Sequence, residues 1–109
     1  MCLTSYLLSF NEMPWESSKP GFRQKVVQLD NDKLVRLVEF SDEFEEDLWC
    51  QKGHLGYVIY GEVIFSFSDS DTVFKSGDGF NVPSGPEHRH KAKVMAGKQA
   101  FLYLVECQT

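Results

Sequence analysis

Short apolar stretches separated by turn-forming residues run through most of this chain, and that pattern is typical of β-strands. The first two such stretches, residues 22–29 and 33–40, are separated by Asn31-Asp32, a dipeptide that favours a tight turn. Together they predict a β-hairpin. Residues 3–10 have apolar side chains at helical spacing but also fit an edge strand, and the sequence predicts no long amphipathic helix.

The second half of the chain continues the strand pattern. The predicted strands there are residues 55–60, 62–68, 72–75, the short run that ends at Val82, and 100–106. Gly61 lies between the first two and indicates a bend or a bulge. The nearly continuous apolar character of the last one predicts a strand buried on both faces. Many short strands with frequent turns favour an all-β fold, either a barrel or a sandwich.

A clear alternation follows the second of two nearby prolines, Pro83 and Pro86. Cationic residues occupy every other position, namely Arg89, Lys91 and Lys93. The positions between them are His88, His90, Ala92 and Val94. On a strand, the cations would share a solvated face and both histidines would point inward. The basic run is therefore interpreted as one strand face and not as a nucleic-acid site.

Length and charge limit the classes of function. A chain of 109 residues predicts one domain, residues 1–109, and the net charge of -5 argues against nucleic acid or an anionic membrane as partner. The three cysteines, Cys2, Cys50 and Cys107, show no disulfide-framework spacing, which predicts reduced thiols and a cytoplasmic protein. No segment has the features of a signal peptide or of a membrane span.

The segment 41–47 is strongly acidic. Its simplest interpretation is a solvated loop or helical turn, and a catalytic pair of carboxylates is the alternative. No other feature of the sequence supports that alternative.

All three histidines fall into two short segments, and one cysteine lies beside the first of them. These residues are Cys50, His54, His88 and His90. Imidazole and thiolate are the side chains that bind borderline-soft metal ions such as zinc. Because strands distant in sequence converge in a closed β structure, the two segments suggest a metal or active site.

Two ordered motifs make the chain resemble a small single-domain cupin, the double-stranded β-helix or jelly-roll barrel. The spacing of Gly77, Pro83, Gly85 and His88 fits the second cupin motif, within about residues 77–90. The segment Tyr57-Val58-Ile59-Tyr60-Gly61-Glu62 fits the end of the first motif, within about residues 48–62. The overall layout is similar to the uronate-handling cupins of pectin degradation.

The resemblance implies a metal site with altered ligands. The acid or amide position of the first motif holds His54, and the two histidine positions before it hold Leu48 and Cys50. The implied ligands are then Cys50, His54 and His88, while His90 is either a fourth ligand or a hydrogen-bonding group inside the barrel. Such a set favours one divalent zinc ion, with iron or nickel as alternatives.

The resemblance also implies a class of function. It suggests a metal-dependent enzyme that acts on a small sugar- or carboxylate-type molecule by Lewis-acid isomerase, lyase or hydrolytic chemistry. The alternatives are a small-molecule-binding or sensing module without catalysis and a degenerate barrel without metal. Tyr57, Tyr60 and Phe80 are the expected pocket-lining residues. The resemblance also implies a homodimer, with contacts from edge strands and from the N-terminal residues 3–10.

Overall fold

The computed structural model describes residues 6–29 and 32–107. Within this part, strands are joined by turns and by two short 3-10 helices, Phe10–Glu12 and Pro86–His88. The strands are β1 (Glu16–Lys19), β2 (Phe22–Leu29), β3 (Lys33–Ser41), β4 (His54–Phe67), β5 (Asp71–Lys75), β6 (Gly79–Val82), β7 (His90–Lys93) and β8 (Gln99–Cys107). All strand pairs are antiparallel, in the order β1-β2-β3-β8-β4-β5. The chain thus forms a single-domain β-barrel of the jelly-roll type.

The long strand β4 connects the two sheets of this barrel. Its first half pairs with β6 and β8, and its second half pairs with β5 and β7. Gly61 lies at the change of partners with φ of 81°, and a Cβ atom at this position would collide with the carbonyl oxygen of Gln99. The bend predicted at Gly61 is therefore confirmed, although the two predicted strands are one continuous strand.

The core lies between the sheets and is built from aliphatic and aromatic side chains. Its buried members are Val38, Phe40, Phe44, Val58, Val63, Phe65, Phe80, Val82, Ala92, Val94, Ala100, Leu102 and Leu104. Burying one large apolar side chain contributes about 1.5–3 kcal/mol, so this set supplies most of the driving force for closing the barrel.

The predicted hairpin is confirmed, since β2 and β3 pair without interruption from Phe22↔Phe40 to Leu29↔Lys33. Of the predicted turn, Asn31 lies outside the described residues, and Asp32 has a left-handed φ of 60°. Strand β1 was not predicted because its four residues are polar and mostly exposed.

The prediction that the last strand is buried on both faces is wrong. Along β8, Ala100, Leu102 and Leu104 are buried, whereas Tyr103 between them is partly exposed. The outer face is covered only in part by the N-terminal segment, where Phe10 packs edge-on against Tyr103.

The N-terminal prediction is tested only in part, because residues 3–5 lie outside the described residues, as does Cys2. Residues 6–9 have no regular secondary structure, and the 3-10 helix Phe10–Glu12 follows them. Lys25 Nζ donates a hydrogen bond to the Phe10 carbonyl oxygen at 2.7 Å, which ties this segment to β2. The part of the chain that the structure describes holds no helix with the length and apolar character needed to cross a bilayer.

Candidate metal centre and cavity

Three potential metal ligands meet inside the barrel. One ligand atom from each of Cys50, His54 and His90 lies within 4.8 Å of the other two. His54 begins β4, His90 begins β7, and Cys50 is joined to His90 by two backbone hydrogen bonds of 2.8 and 3.0 Å. Strand pairing therefore brings the three residues together. The imidazoles are 7% and 2% exposed, and Cys50 is partly buried.

The tautomer of His90 is determined by the backbone. His90 Nδ1 lies 3.0 Å from the carbonyl oxygen of His88. Because a carbonyl oxygen only accepts, Nδ1 carries the hydrogen and Nε2 retains a lone pair. His90 Nε2 is buried and has no hydrogen-bond partner among the described residues. A buried polar atom left unpaired costs about 1–3 kcal/mol, and a bound metal ion would remove that cost.

His54 lies between a sulfur atom and a carboxylate. Its Nε2 is 3.6 Å from Cys50 Sγ, and its Nδ1 is 3.4 Å from Glu106 Oε1. The Nδ1 contact lacks the alignment of a good hydrogen bond. A histidine that ligates a metal through one nitrogen usually faces a carboxylate or carbonyl with the other, which sets its tautomer. The surroundings of His54 have this pattern, with Nε2 directed toward Cys50.

A row of polar side chains crosses four neighbouring strands, β2, β3, β8 and β4. Arg36 Nε donates to Gln24 Oε1 at 2.9 Å, and Arg36 Nη1 donates to Glu106 Oε1 at 2.8 Å. The same oxygen of Glu106 faces His54. The buried charge of Glu106 is therefore balanced by Arg36, and Lys52 Nζ approaches its other oxygen at 3.9 Å.

The cluster and the polar row line one cavity of about 320 Å³. Glu46, from the acidic segment 41–47, lines the same cavity. Its Oε1 accepts a hydrogen bond of 2.7 Å from the backbone N–H of Ala92. Burial raises the pKa of Glu46 above its ordinary value, while the hydrogen bond from Ala92 and nearby charges oppose that shift. The cavity thus contains ligand atoms, two carboxylates and one guanidinium.

Comparison with known proteins gives matches at the level of three-dimensional structure. An RmlC-like cupin from Shewanella frigidimarina has a TM-score of 0.76 at 15% identity, with 100% of this chain and 96% of that chain covered. KdgF from a Halomonas species has a TM-score of 0.74 at 19% identity, with coverage of 98% and 96%. No protein-family model matches the sequence, and no curated protein matches it significantly.

The chain has the cupin fold. A third match, a sugar phosphate isomerase from a cupin superfamily, comes from Silicibacter pomeroyi. It has a TM-score of 0.74 at 16% identity and covers 94% of this chain and 76% of that chain. These likenesses extend over nearly the whole chain, so the scaffold expected from the two motifs is confirmed.

Of the predicted ligands, the structure does not bring His88 to the cluster. His88 ends the 3-10 helix Pro86–His88, its side chain is 42% exposed, and its Nε2 lies 3.8 Å from Glu87 Oε1. The strand alternation begins at His90, so the inward direction predicted for both histidines holds for His90 alone. His90 takes the place in the cluster that the motif spacing had assigned to His88.

The predicted pocket residues lie outside the cavity as well. Tyr57 and Tyr60 are largely exposed, because the inner positions of β4 are His54 and Val58 and a bulge follows Val58. Phe80 is a core residue and borders a second depression on the His88 side of the barrel. The sequence does not reveal the position of this bulge, and without that position the face on which each tyrosine lies could not be assigned.

The basic residues beside His90 behave as the alternation predicted. Lys91 and Arg89 lie over the two-ring side chain of Trp49, with Lys91 Nζ and Arg89 Cζ at 5.0 and 5.2 Å from the ring centroid. Trp49 is partly exposed, so this contact lies on the outer face. Cations and histidine therefore occupy opposite sides of β7, as expected from the period of two.

Glu46, Glu106 and Arg36 are among the polar cavity residues that were not predicted from the sequence. Glu46 belongs to a segment whose composition favours a solvated loop, and Glu106 is the single acid in an apolar strand. An isolated charge within a strand of buried residues is a usable signal, since buried charges are rare without a partner. That signal alone would have drawn attention to Glu106.

Proposed function

We propose that this chain is a metal-dependent cupin enzyme whose metal ion is held by Cys50, His54 and His90. The observation that carries the proposal is the buried Nε2 of His90, which has no hydrogen-bond partner among the described residues. His90 also offers one ligand atom within 4.8 Å of a ligand atom from each of Cys50 and His54. If the cluster served packing alone, this nitrogen would stay desolvated without compensation.

The donor set favours zinc, with iron or nickel as alternatives. One thiolate and two imidazoles match the ligand types of tetrahedral zinc sites, and three protein ligands leave the fourth position for water or substrate. A thiolate ligand disfavours magnesium and manganese. Because Cys50 is a free thiol in this proposal, we place the protein in the cytoplasm, where thiols stay reduced.

We infer that the substrate is a small polar molecule of the sugar or carboxylate type that enters the cavity of about 320 Å³. When bound, the metal would supply Lewis-acid polarisation of a substrate oxygen. The free oxygen of Glu46 would accept a proton from the substrate or return one to it. The other oxygen, Oε1, accepts the hydrogen bond from the Ala92 N–H. The structurally similar sugar phosphate isomerase is compatible with this class of chemistry.

The first test is elemental analysis of protein purified without a metal-affinity tag. Wild type should carry about one zinc, iron or nickel ion per chain, and Cys50→Ala combined with His54→Ala should carry none while remaining folded by circular dichroism. A double variant that binds metal like wild type would refute the site. Once the metal is known, a substrate screen separates an enzyme from a binding or sensing module, because only the enzyme turns over a ligand that it binds.

We also propose a homodimer that forms through the outer face of β4. Leu55, Tyr57 and Ile59 project from this face and are largely exposed, and an apolar strip of this kind is typical of an interface. Light scattering after gel filtration should give a dimer for wild type and a monomer for Leu55→Ser with Tyr57→Ser. Val73→Ser, an exposed apolar position on β5, is the matched control and should stay dimeric.

A further inference from the structure

The cavity has a second polar end at Arg36, two strands away from His54. The guanidinium of Arg36 is fixed by hydrogen bonds from Nε to Gln24 and from Nη1 to Glu106. Its Nη2 group has no partner within residues 6–29 and 32–107, and it is not among the atoms sealed from solvent. Because Arg36 lines the cavity, these N–H groups are available to a ligand.

We propose that Arg36 binds the carboxylate of a small organic acid whose other end reaches the Cys50–His54–His90 cluster. This inference deepens the proposed function and rests on it for the metal. A guanidinium held by two side chains offers its remaining donors in a fixed plane, the arrangement that suits a carboxylate. A ligand without an anionic group would leave those donors unmatched.

The charges around the cavity support an anionic ligand once the metal is present. Lys19 and Arg36 are the cations of the lining, and Glu46 and Glu106 are its carboxylates, so two groups of each sign face the cavity. A divalent ion held by a Cys50 thiolate would add one net positive charge to this balance. The metal and Arg36 would therefore attract an acid together, and its affinity should be higher in the metal-loaded protein.

The distance between the two ends limits the size of the ligand. Arg36 Nη1 and His54 Nδ1 lie 2.8 and 3.4 Å from the same oxygen of Glu106, so these two nitrogens are at most about 6 Å apart. A molecule that contacts Arg36 and a metal ion at the cluster needs a carboxylate and an oxygen donor only a few bonds apart. The volume of about 320 Å³ accommodates an acid of the size of a monosaccharide.

Calorimetric titration with gluconate and sorbitol tests the proposal, since these probes share a six-carbon polyol chain and differ in the carboxylate. Zinc-loaded wild type should bind gluconate at least tenfold more tightly than sorbitol, which corresponds to about 1.4 kcal/mol. Arg36→Gln should lose that preference, and Arg36→Lys, which keeps the charge without the planar donors, should lose most of it. The matched control is Arg23→Gln, because Arg23 is an exposed arginine that is also paired with a glutamate, Glu39.

Zinc content measured on the same samples separates the two proposals. If zinc is bound and a folded Arg36→Gln or Arg36→Lys protein binds gluconate like wild type, Arg36 serves only as the partner of Glu106 and the inference is overturned. Equal binding of gluconate and sorbitol by wild type would overturn it too. If wild type binds no metal but still prefers gluconate through Arg36, the metal-dependent function fails and the carboxylate site stands.

Discussion

His88 and His90 are two residues apart, yet the fold gives them different surroundings. His88 is 42% exposed at the end of a 3-10 helix, with the Glu87 carboxylate 3.8 Å from its Nε2. His90 is 2% exposed, its Nδ1 is held by a backbone carbonyl, and its Nε2 has no partner among the described residues. An exposed imidazole can be satisfied by water, whereas the buried nitrogen carries a desolvation cost that a bound ligand would remove.

The difference between these histidines arises from where the strand begins. Pro86 starts a 3-10 turn that includes His88, and the pairing of β7 with β4 starts at His90↔Phe67. The backbone hydrogen bonds to Cys50 start at the same residue. A match to motif spacing thus locates the segment that approaches the cluster, and strand pairing decides which histidine in it points inward.

The largest expected effect is the loss of zinc affinity in His90→Ala. Removal of one of three protein ligands should weaken binding at least about a hundredfold, and His90→Gln, which preserves most of the volume, should do the same. His88→Ala should stay within about threefold of wild type. Competition with a chromophoric zinc chelator measures all three affinities.

Two results would contradict the expected difference between His88 and His90. If His88→Ala weakens zinc binding as much as His90→Ala does, both histidines act as ligands and the 3-10 turn must rearrange when metal binds. If neither variant changes the affinity, the metal lies elsewhere. Circular dichroism on each variant separates ligand loss from unfolding.

A smaller effect is expected from Glu106, whose carboxylate faces His54 Nδ1 at 3.4 Å. Glu106→Gln keeps the shape but removes the charge that orients the imidazole, and such changes cost about 10–100-fold in metal affinity. The absorption spectrum of the cobalt-substituted protein should shift, because the geometry of His54 changes while the ligand set does not. Glu39→Gln, which alters an exposed arginine pair, is the control and should leave both readouts unchanged.

The positions of the strands could be predicted from the sequence because alternation and turn residues are local signals. Residues 22–29 coincide with β2, and the segments beside Gly61 coincide with β4. Cys50 and His54 could be proposed as neighbours because the resemblance to the first cupin motif assigns both of them to ligand positions. The polar strand β1 escaped prediction since it has no apolar alternation.

Long-range pairing could not be predicted in the same way. The row Gln24, Arg36, Glu106 and His54 joins the β2–β3 hairpin to β8 and β4, which are distant from it in the chain, and its contacts depend on the register of each pair. The bulge after Val58 reversed the expected side for Tyr60. A shift of one residue moves a side chain to the other face, and composition does not reveal such a shift.

The acidic segment 41–47 contains a second pair of neighbouring side chains with different surroundings, Glu45 and Glu46. Glu45 is exposed, and its backbone forms an isolated bridge with Lys93. Glu46, the next residue, is partly buried and lines the cavity. Burial raises the pKa of Glu46, although the hydrogen bond from the Ala92 N–H and the charges of Lys19 and Arg36 counteract that rise.

The smallest expected effect is therefore a pH-dependent change in stability at Glu46. The pKa of Glu46 is higher in the folded protein than in the unfolded chain. At pH values between these two pKa values, the native state binds the Glu46 proton more tightly than the unfolded state does. The contribution of Glu46 to stability therefore decreases as pH rises through that range. The Glu46→Gln variant does not lose stability in this way, because glutamine does not titrate. Its amide oxygen can still accept the hydrogen bond from the Ala92 N–H. Relative to wild type, it should gain stability as pH increases from about 4.5 toward neutrality. Urea unfolding with a metal chelator present measures the difference between the two proteins at each pH. A relative stability of Glu46→Gln that falls as pH rises would mean that the folded protein favours the charged carboxylate of Glu46, which would contradict the effect expected from its burial.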